Sequence, residues 1–302
     1  GLQDRQLSFE KGSGTVRERE SSNPVMRGVV RDNQPAGGYA GFGAGAAGAG
    51  QAAMWQQQQQ APQQYQQAPA ATRALTIDDI VQKTAITLGV LIAAAAASYG
   101  VIHQNEGLAT PLMLIGMIGG LVLVLVASFG RKQDNPAIVL GYAVFEGVFV
   151  GAISFVIANF MVSGVSAGTL IGQAILATFG VFAGMLVVYK TGAIRVTPRF
   201  TRMMIAAMIG VLVLAVGNVI IALFSGGAGP LRDGGPLAII FSLVCIGLAA
   251  FSFMLDFDSA DRLIRAGAPS KAAWGIALGL TVTLVWLYIE ILRLLSYLNS
   301  NN

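Results

Sequence analysis

Seven apolar stretches follow one another along the chain from residue 84 onward, and short polar loops separate them. A helix needs about 20 apolar residues to cross the ~30 Å hydrocarbon core of a bilayer, so each stretch predicts a transmembrane helix. We place the spans at residues 84–102, 111–129, 137–161, 168–189, 203–225, 237–257 and 273–297. The predicted fold is all-α, a polytopic membrane protein with a seven-transmembrane-helix bundle in residues 74–302.

The first 73 residues have a different composition. They contain "AGGYAGFGAGAAGAG" and "WQQQQQAPQQYQQAPAA", which are rich in Gly and Ala and then in Gln and Pro. Such a segment cannot bury a hydrophobic core. We therefore expect residues 1–73 to form a disordered N-terminal tail in the cytoplasm.

The overall composition agrees with a membrane protein. Hydrophobic residues make up 54% of the chain, charged residues only 11%, and the mean hydropathy is +0.65. A soluble domain carries roughly 25% charged residues. The single cysteine, Cys245, and the single histidine, His103, exclude an internal disulfide and a Cys/His metal cluster. With no catalytic motif and basic residues scattered between the spans, we expect neither an enzyme nor a nucleic-acid-binding protein.

Lysine and arginine alternate between the loops. The loops at residues 130–136 and 190–202 are rich in them, whereas the loops at residues 103–110 and 162–167 have none. Basic loops stay in the cytoplasm, so this alternation places the N-terminus in the cytoplasm and the C-terminus outside. An alternation that continues over all loops also supports the count of seven spans.

A few ionisable residues lie inside the predicted spans. They are Glu146 in span three, Asp256 and Asp258 at the end of span six, and Glu290 and Arg293 in span seven. A charged residue at the bilayer centre costs at least ~2.5–3.5 kcal/mol, so such residues are candidate functional sites. The simpler alternatives are a hydrogen bond from Glu146 to a neighbouring helix, and a local ion pair between Glu290 and Arg293.

The stretch "FMLDFDSADRLIRAG" places three aspartates where span six is predicted to end. Carboxylates at a helix C-terminus are unfavourable because that end carries partial negative charge. Asp261 is expected to lie in solvent, balanced by Arg262 and Arg265. Asp256 has apolar neighbours and is expected to be half-buried, where it would bind a proton or a cation.

Local signals predict one helix start and two close helix contacts. Thr76 and Asp79 have the spacing of a capping box, which predicts a helix beginning after Thr76. Gly147 and Gly151, and the glycine pair at residues 180–184, have the small-xxx-small spacing of closely packed transmembrane helices.

Three features occur in a fixed order along the chain: "FEGVFVGAISF" in span three, "FDSADRLI" at the end of span six and an acid in span seven. In this order they resemble the Bax inhibitor-1/YccA-like (TMBIM) family. The stretches "TIDDIVQKT" and "FGRKQDNPAI" are similar to its actinobacterial branch, and the resemblance covers residues 74–298. It implies a bacterial plasma-membrane protein whose last helix lies near the bundle centre. It also implies a pH-sensitive calcium leak in which acids of spans six and seven share a proton.

Carried over by position, the resemblance assigns Asp258 and Glu290 to the shared-proton pair and Glu146 to the Glu-Gly motif. Asp258, Glu290 and Arg293 would then be gating residues. This sequence departs from the family pattern in having Glu290 for an aspartate and Ser259-Ala260 for Thr-Gln. Asp256 is an alternative partner for Glu290, and a series of acids at different depths is an equally good arrangement.

Three functions remain open from the sequence. The leading hypothesis is a cation leak, most simply for Ca²⁺, because carboxylates are the ligands that hard divalent cations prefer. Glu146, Asp256, Asp258 and Glu290 are its candidate cation or proton sites, without a resident cofactor. The alternatives are a regulator that binds a membrane protease or quality-control complex through the N-terminal tail, and an H⁺-coupled exchanger.

Overall fold

The computed structural model describes residues 73–162 and 164–300. The predicted N-terminal tail therefore lies outside the described residues. Within them, seven helices are long and apolar enough to cross a membrane, which confirms the predicted number of spans and the all-α class. In chain order they are α1 (Ile77–Gln104), α2 (Ala109–Phe129), α3 (Pro136–Phe160), α4 (Ala167–Thr191), α5 (Pro198–Ser225), α6 (Pro236–Arg265) and α7 (Ala273–Ser300).

The helix ends follow local sequence signals. The Thr76 hydroxyl accepts a hydrogen bond from the Asp79 amide, and the Asp79 carboxylate accepts one from the Thr76 amide at 3.0 Å. This confirms the predicted capping box. Helices α4 and α5 end at Gly192 and Gly226, whose φ angles of 69° and 70° lie in the left-handed region that glycine adopts without strain.

Helix α6 continues well beyond the predicted end of span six. It ends at Arg265 instead of near residue 257. Two ion pairs one turn apart support the extra turns, Asp258 with Arg262 at 2.6 Å and Asp261 with Arg265 at 2.7 Å. The expectation that the aspartates lie at the helix end is therefore wrong. The basic residues, which suit the negative end of the helix dipole, occupy the last turn.

Helix α7 lies at the centre of the bundle. In an 18-residue apolar stretch of each helix, 78% of α7 is buried inside the protein, against 50% of α3 and 6% of α5. It packs against α1, α3, α4 and α6, whereas α2 packs mainly on α3 and α5 packs mainly on α6. The central position implied by the family resemblance is confirmed.

The two predicted close helix contacts have different outcomes. A Cβ atom added at Gly147 would lie 2.4 Å from the Leu91 carbonyl oxygen, and one at Gly151 would lie 2.3 Å from that of Ala95. These glycines therefore bring α3 into direct backbone contact with α1. The prediction for the glycine pair at residues 180–184 is wrong, because a Cβ there would meet nothing within 4 Å.

We call the side of the membrane on which α1 begins the N side and the other the C side. Antiparallel packing places the α2–α3, α4–α5 and α6–α7 connections on the N side. There the Leu75 amide donates to the Ala268 carbonyl and the Ser270 amide donates to the Arg73 carbonyl, both at 2.8 Å. The segment before α1 is thus paired with the α6–α7 connection.

Candidate functional site

Glu290 lies in a buried charge cluster near the C side. Only 2% of the residue is exposed. Arg232 donates two hydrogen bonds to its carboxylate, at 2.9 Å to Oε2 and 2.8 Å to Oε1. Arg293 donates to Oε1 at 3.2 Å, and the Ser242 hydroxyl donates to Oε2 at 3.3 Å. The predicted local pair of Glu290 and Arg293 is therefore present, but Arg232 makes the shorter contacts.

Arg232 reaches this cluster from the connection between α5 and α6. The Tyr297 hydroxyl donates to the Arg232 carbonyl at 3.3 Å, and the guanidinium carbon lies 5.0 Å from the centre of the Phe241 ring. Burial disfavours the charged form of Arg232, but the hydrogen bonds and charge of Glu290 outweigh it, so the pKa of Arg232 is raised. The guanidinium stays charged when inserted into the bundle.

Asn218, a buried residue of α5, shapes the connection that carries Arg232. Its side-chain amide donates to the Ala228 carbonyl at 2.9 Å, and its carbonyl oxygen accepts from the Leu231 amide at 2.8 Å. At Gly229, where φ is +77°, a Cβ atom would lie 2.5 Å from the Asn218 oxygen. A glycine is therefore required for the connection to fold back onto α5.

The C-side cluster carries a net positive charge, because one carboxylate faces two guanidinium groups. A bidentate guanidinium–carboxylate contact has strong directional preference. Two guanidinium groups beside one carboxylate repel a cation that approaches the cluster. In this arrangement the C-side end of the bundle is unfavourable for a cation.

Asp256 lies at a separate polar site nearer the N side. The Thr283 hydroxyl of α7 lies 2.8 Å from Asp256 Oδ2 and donates to it, and the same hydroxyl lies 3.2 Å from the Gly279 carbonyl. The other carboxylate oxygen of Asp256 lies 3.8 Å from the position of a Cβ at Gly279. Asp256 is thus the acid of α6 that faces the central helix.

A cavity of about 300 Å³ opens next to Asp256 on the N side. Asp134 lines the same cavity from the α2–α3 connection. On α7 the wall is formed by Gly275 and Gly279, about one turn apart. A Cβ at these positions would lie 3.7 Å from Asp134 Oδ1 and 3.8 Å from Asp256 Oδ1, so both carboxylates lie beside the bare backbone of α7. Ser259 adds a hydroxyl to the lining. We call this space, with Asp134 and Asp256, the N-side cavity.

Asp258 points elsewhere, although it is only two residues from Asp256. Two residues correspond to about 200° around a helix. Asp258 forms its ion pair with Arg262, and Asp261, which pairs with Arg265, lies 3.5 Å from the Tyr189 hydroxyl of α4. Asp258 and Asp261 therefore belong to a half-exposed, charge-balanced face of α6.

Glu146 occupies a third position, between α2 and α3. Its carboxylate oxygen would lie 2.7 Å from a Cβ at Gly120 of α2, and its side-chain partner is Tyr142 one turn earlier. This partner lies within α3, and not on a neighbouring helix as the simpler alternative predicts. Glu146 is half-buried.

The predicted site residues are thus distributed over separate places. The structure does not bring Asp258 and Glu290 together, and each of them pairs with arginine. Along α7, Thr283 and Glu290 are seven residues apart, about 10 Å of helical rise. No group of three or more His, Cys, Asp or Glu side chains able to hold a metal ion occurs in residues 73–162 and 164–300. The acids therefore lie at different depths in the membrane, which is the alternative arrangement considered from the sequence.

Sequence reasoning missed Arg232 and Asp134. Arg232 is the one basic residue of its loop, on a side whose other loops have none, and this contrast is a usable signal. Asp134 gave no signal, because a single acid in a polar loop is ordinary.

The comparison with family models decides the family. A model described as "Bax inhibitor 1 like" matches residues 48–300. The chain belongs to the Bax inhibitor 1-like family. The resemblance drawn from the motifs is therefore confirmed, and the seven spans make this family member a multi-pass membrane protein. No curated protein matches the chain.

Proposed function

We propose that this Bax inhibitor 1-like protein is a pH-sensitive cation leak channel of the bacterial plasma membrane, with Ca²⁺ as the principal cargo. One observation carries the proposal, the N-side cavity with Asp134 and Asp256 on its wall. Hard divalent cations prefer carboxylate, hydroxyl and carbonyl oxygens, and Ser259 and Gln133 add such groups to the cavity. With the N-terminus in the cytoplasm, the cavity opens toward the cytoplasm.

The arrangement of side chains around α7 corresponds to a closed state. Between Thr283 and Glu290 the central helix presents apolar side chains apart from Tyr288, whose hydroxyl is bonded to Ser154, and Leu284 and Leu287 are buried. At the C side, Arg232 and Arg293 surround Glu290 and oppose cations. Opening therefore requires a change in the packing of α7 and withdrawal of Arg232 from the bundle.

Protonation supplies the pH dependence in this proposal. Ionised Asp256 attracts a cation into the N-side cavity, whereas its protonated form does not. Cation entry is therefore favoured as the pH rises and this carboxyl group loses its proton. Asp256, which contacts α7 through Thr283, is the acid whose charge reaches the central helix directly.

Flux into proteoliposomes tests this function. The full chain is reconstituted with a trapped Ca²⁺ indicator, and flux is measured over a range of pH. Asp256→Asn is expected to lower Ca²⁺ flux about tenfold and to weaken its pH dependence, since a carboxylate ligand is lost. The matched control is Asp258→Asn, which removes an acid two residues away that faces Arg262 instead of the cavity. Equal flux and equal pH profiles for Asp256→Asn and the unmodified chain would overturn the proposal.

A further inference from the structure

A second and larger cavity lies within the membrane-spanning part of the bundle. Its volume is about 470 Å³, and α1, α3, α4 and α7 line it. The lining is apolar along nearly its whole length, with Leu88 and Leu91 on α1, Val150 on α3 and Leu284 on α7. This space is separate from the N-side cavity and shares no lining residue with it.

The cavity opens sideways between α1 and α4. Both helices pack on α7. Along the opening they carry small residues that leave the space between them unfilled, including Ala96, Gly100 and Gly168. Apolar side chains on the rim are themselves exposed, with Ile92 55% and Phe179 44% exposed. In a membrane-spanning segment this exposed apolar rim faces hydrocarbon, so the surrounding bilayer has direct access to the cavity. We call this space the lateral groove.

The length of the lateral groove corresponds to a single membrane leaflet. On α1 it extends from Leu88 to Gly100, twelve residues or about 18 Å of helix. On α4 it extends from Gly168 to Phe179, eleven residues or about 16 Å. Half of the ~30 Å hydrocarbon core is of similar length. A long, apolar space of this size fits one extended acyl chain.

The polar groups of the lateral groove lie in two places. Deep in the groove, the hydroxyl groups of Ser154 and Tyr288 are hydrogen-bonded to each other at 2.8 Å. These two polar groups therefore have a partner within the protein and are compatible with an apolar ligand. At the C-side end, the Tyr99 hydroxyl accepts a hydrogen bond from the Asn159 amide at 3.3 Å. Its own O–H can donate to an ester carbonyl, which is the polar group that adjoins an acyl chain in a phospholipid.

From these observations we propose that the lateral groove binds one acyl chain of a membrane phospholipid. The methyl end of the acyl chain lies near Leu88, and its ester end lies between Tyr99, Gly100 and Gly168 at the C side. The bound lipid fills the space between α1 and α4, and so completes the surface that these helices leave open. This inference concerns lipid binding and does not depend on ion conduction.

Glycine positions in the groove allow a sharp test. A Cβ at Gly100 or Gly168 would meet nothing within 4 Å, so the double variant Gly100→Leu/Gly168→Leu fills the groove without a backbone clash. The matched control is Gly180→Leu/Gly184→Leu. These glycines are helical and equally uncrowded, but they do not line the groove.

The experiment is native mass spectrometry of the full-length protein in detergent, titrated with phosphatidylglycerol. The unmodified chain and the control are expected to retain one phospholipid, and the groove variant is expected to bind it about tenfold more weakly. Tyr99→Phe, which keeps the apolar ring and removes the hydroxyl, is expected to give an intermediate loss. Thermal unfolding of each variant confirms that the fold is kept.

Two results would overturn the lipid proposal. One is equal phospholipid retention by the groove variant and the control, which places the lipid elsewhere on the surface. The other is the absence of retained phospholipid on the unmodified chain. Since the readout is bound mass, either result leaves the flux experiment above unaffected.

Discussion

Arg232 and Glu290 lie 58 positions apart in the sequence and form a two-point ion pair inside the bundle, with N–O distances of 2.9 and 2.8 Å. The pair connects the loop between α5 and α6 to the central helix. It also gives Glu290 a structural partner, so the carboxylate is not available to share a proton with Asp258 in this state. The C-side end of α7 is therefore held in place by charge.

The Arg232–Glu290 pair is expected to contribute strongly to stability. Arg232→Met should lower the free energy of unfolding in detergent by about 1.5–3 kcal/mol, because Glu290 loses its two hydrogen bonds to Arg232 while Arg293 still balances its charge. Glu290→Gln should also destabilise, since two guanidinium groups lose their counter-charge. In the double variant the losses should fall short of their sum by about 0.5–3 kcal/mol.

The control for this cycle is Arg262→Met, which breaks the half-exposed Asp258–Arg262 pair. Exposed pairs contribute about 0–1 kcal/mol, so this variant should unfold nearly as the unmodified chain does. Additive effects of Arg232→Met and Glu290→Gln in unfolding measurements would contradict the interaction.

Gly147 is expected to be intolerant of any side chain. In Gly147→Ala the new methyl group would lie 2.4 Å from the Leu91 carbonyl oxygen and 2.7 Å from Ala94 Cβ, so α1 and α3 must separate. Such overpacking costs about 1–3 kcal/mol. Gly180→Ala, where a Cβ meets nothing, should be neutral or stabilising by up to about 1 kcal/mol. Unfolding curves that rank the two variants in the opposite order would contradict the close contact.

Asp134 and Asp256 are expected to act on flux as a unit. If both carboxylates serve one cavity, Asp134→Asn should lower Ca²⁺ flux, and adding Asp134→Asn to Asp256→Asn should lower it by less than the product of the single effects. Asp261→Asn is the control, because that acid pairs with Arg265 outside the cavity. Independent effects of the two substitutions, measured in proteoliposomes, would show that the acids do not share a cation.

Several features of the fold follow directly from local sequence. The capping box at Thr76 and Asp79 fixes the start of α1, and apolar length fixes the seven spans. The end of α6 was predicted too early because the aspartates are polar. Their i,i+4 arginine partners extend the helix past the apolar run to Arg265.

Local sequence does not predict all contact partners of the acids in the candidate site. The sequence identifies the acids and the local pairs of Glu290 with Arg293 and of Asp261 with Arg265. It misses Thr283 beside Asp256 and Arg232 beside Glu290. Asp256 contacts Thr283 and Asp258 contacts Arg262, and this difference depends on the rotation of α6 relative to α7. That rotation is set by packing along the whole helix pair, and no short motif encodes it.

By itself, the sequence determined that this chain crosses the membrane seven times and carries acids within its spans, because hydrophobic length and residue identity are local properties. Only the tertiary structure decided that Arg232 neutralises Glu290, that Asp134 joins Asp256 at one cavity, and that a groove opens between α1 and α4. These contacts join residues far apart in the chain. They depend on how whole helices pack and how loops fold back onto them.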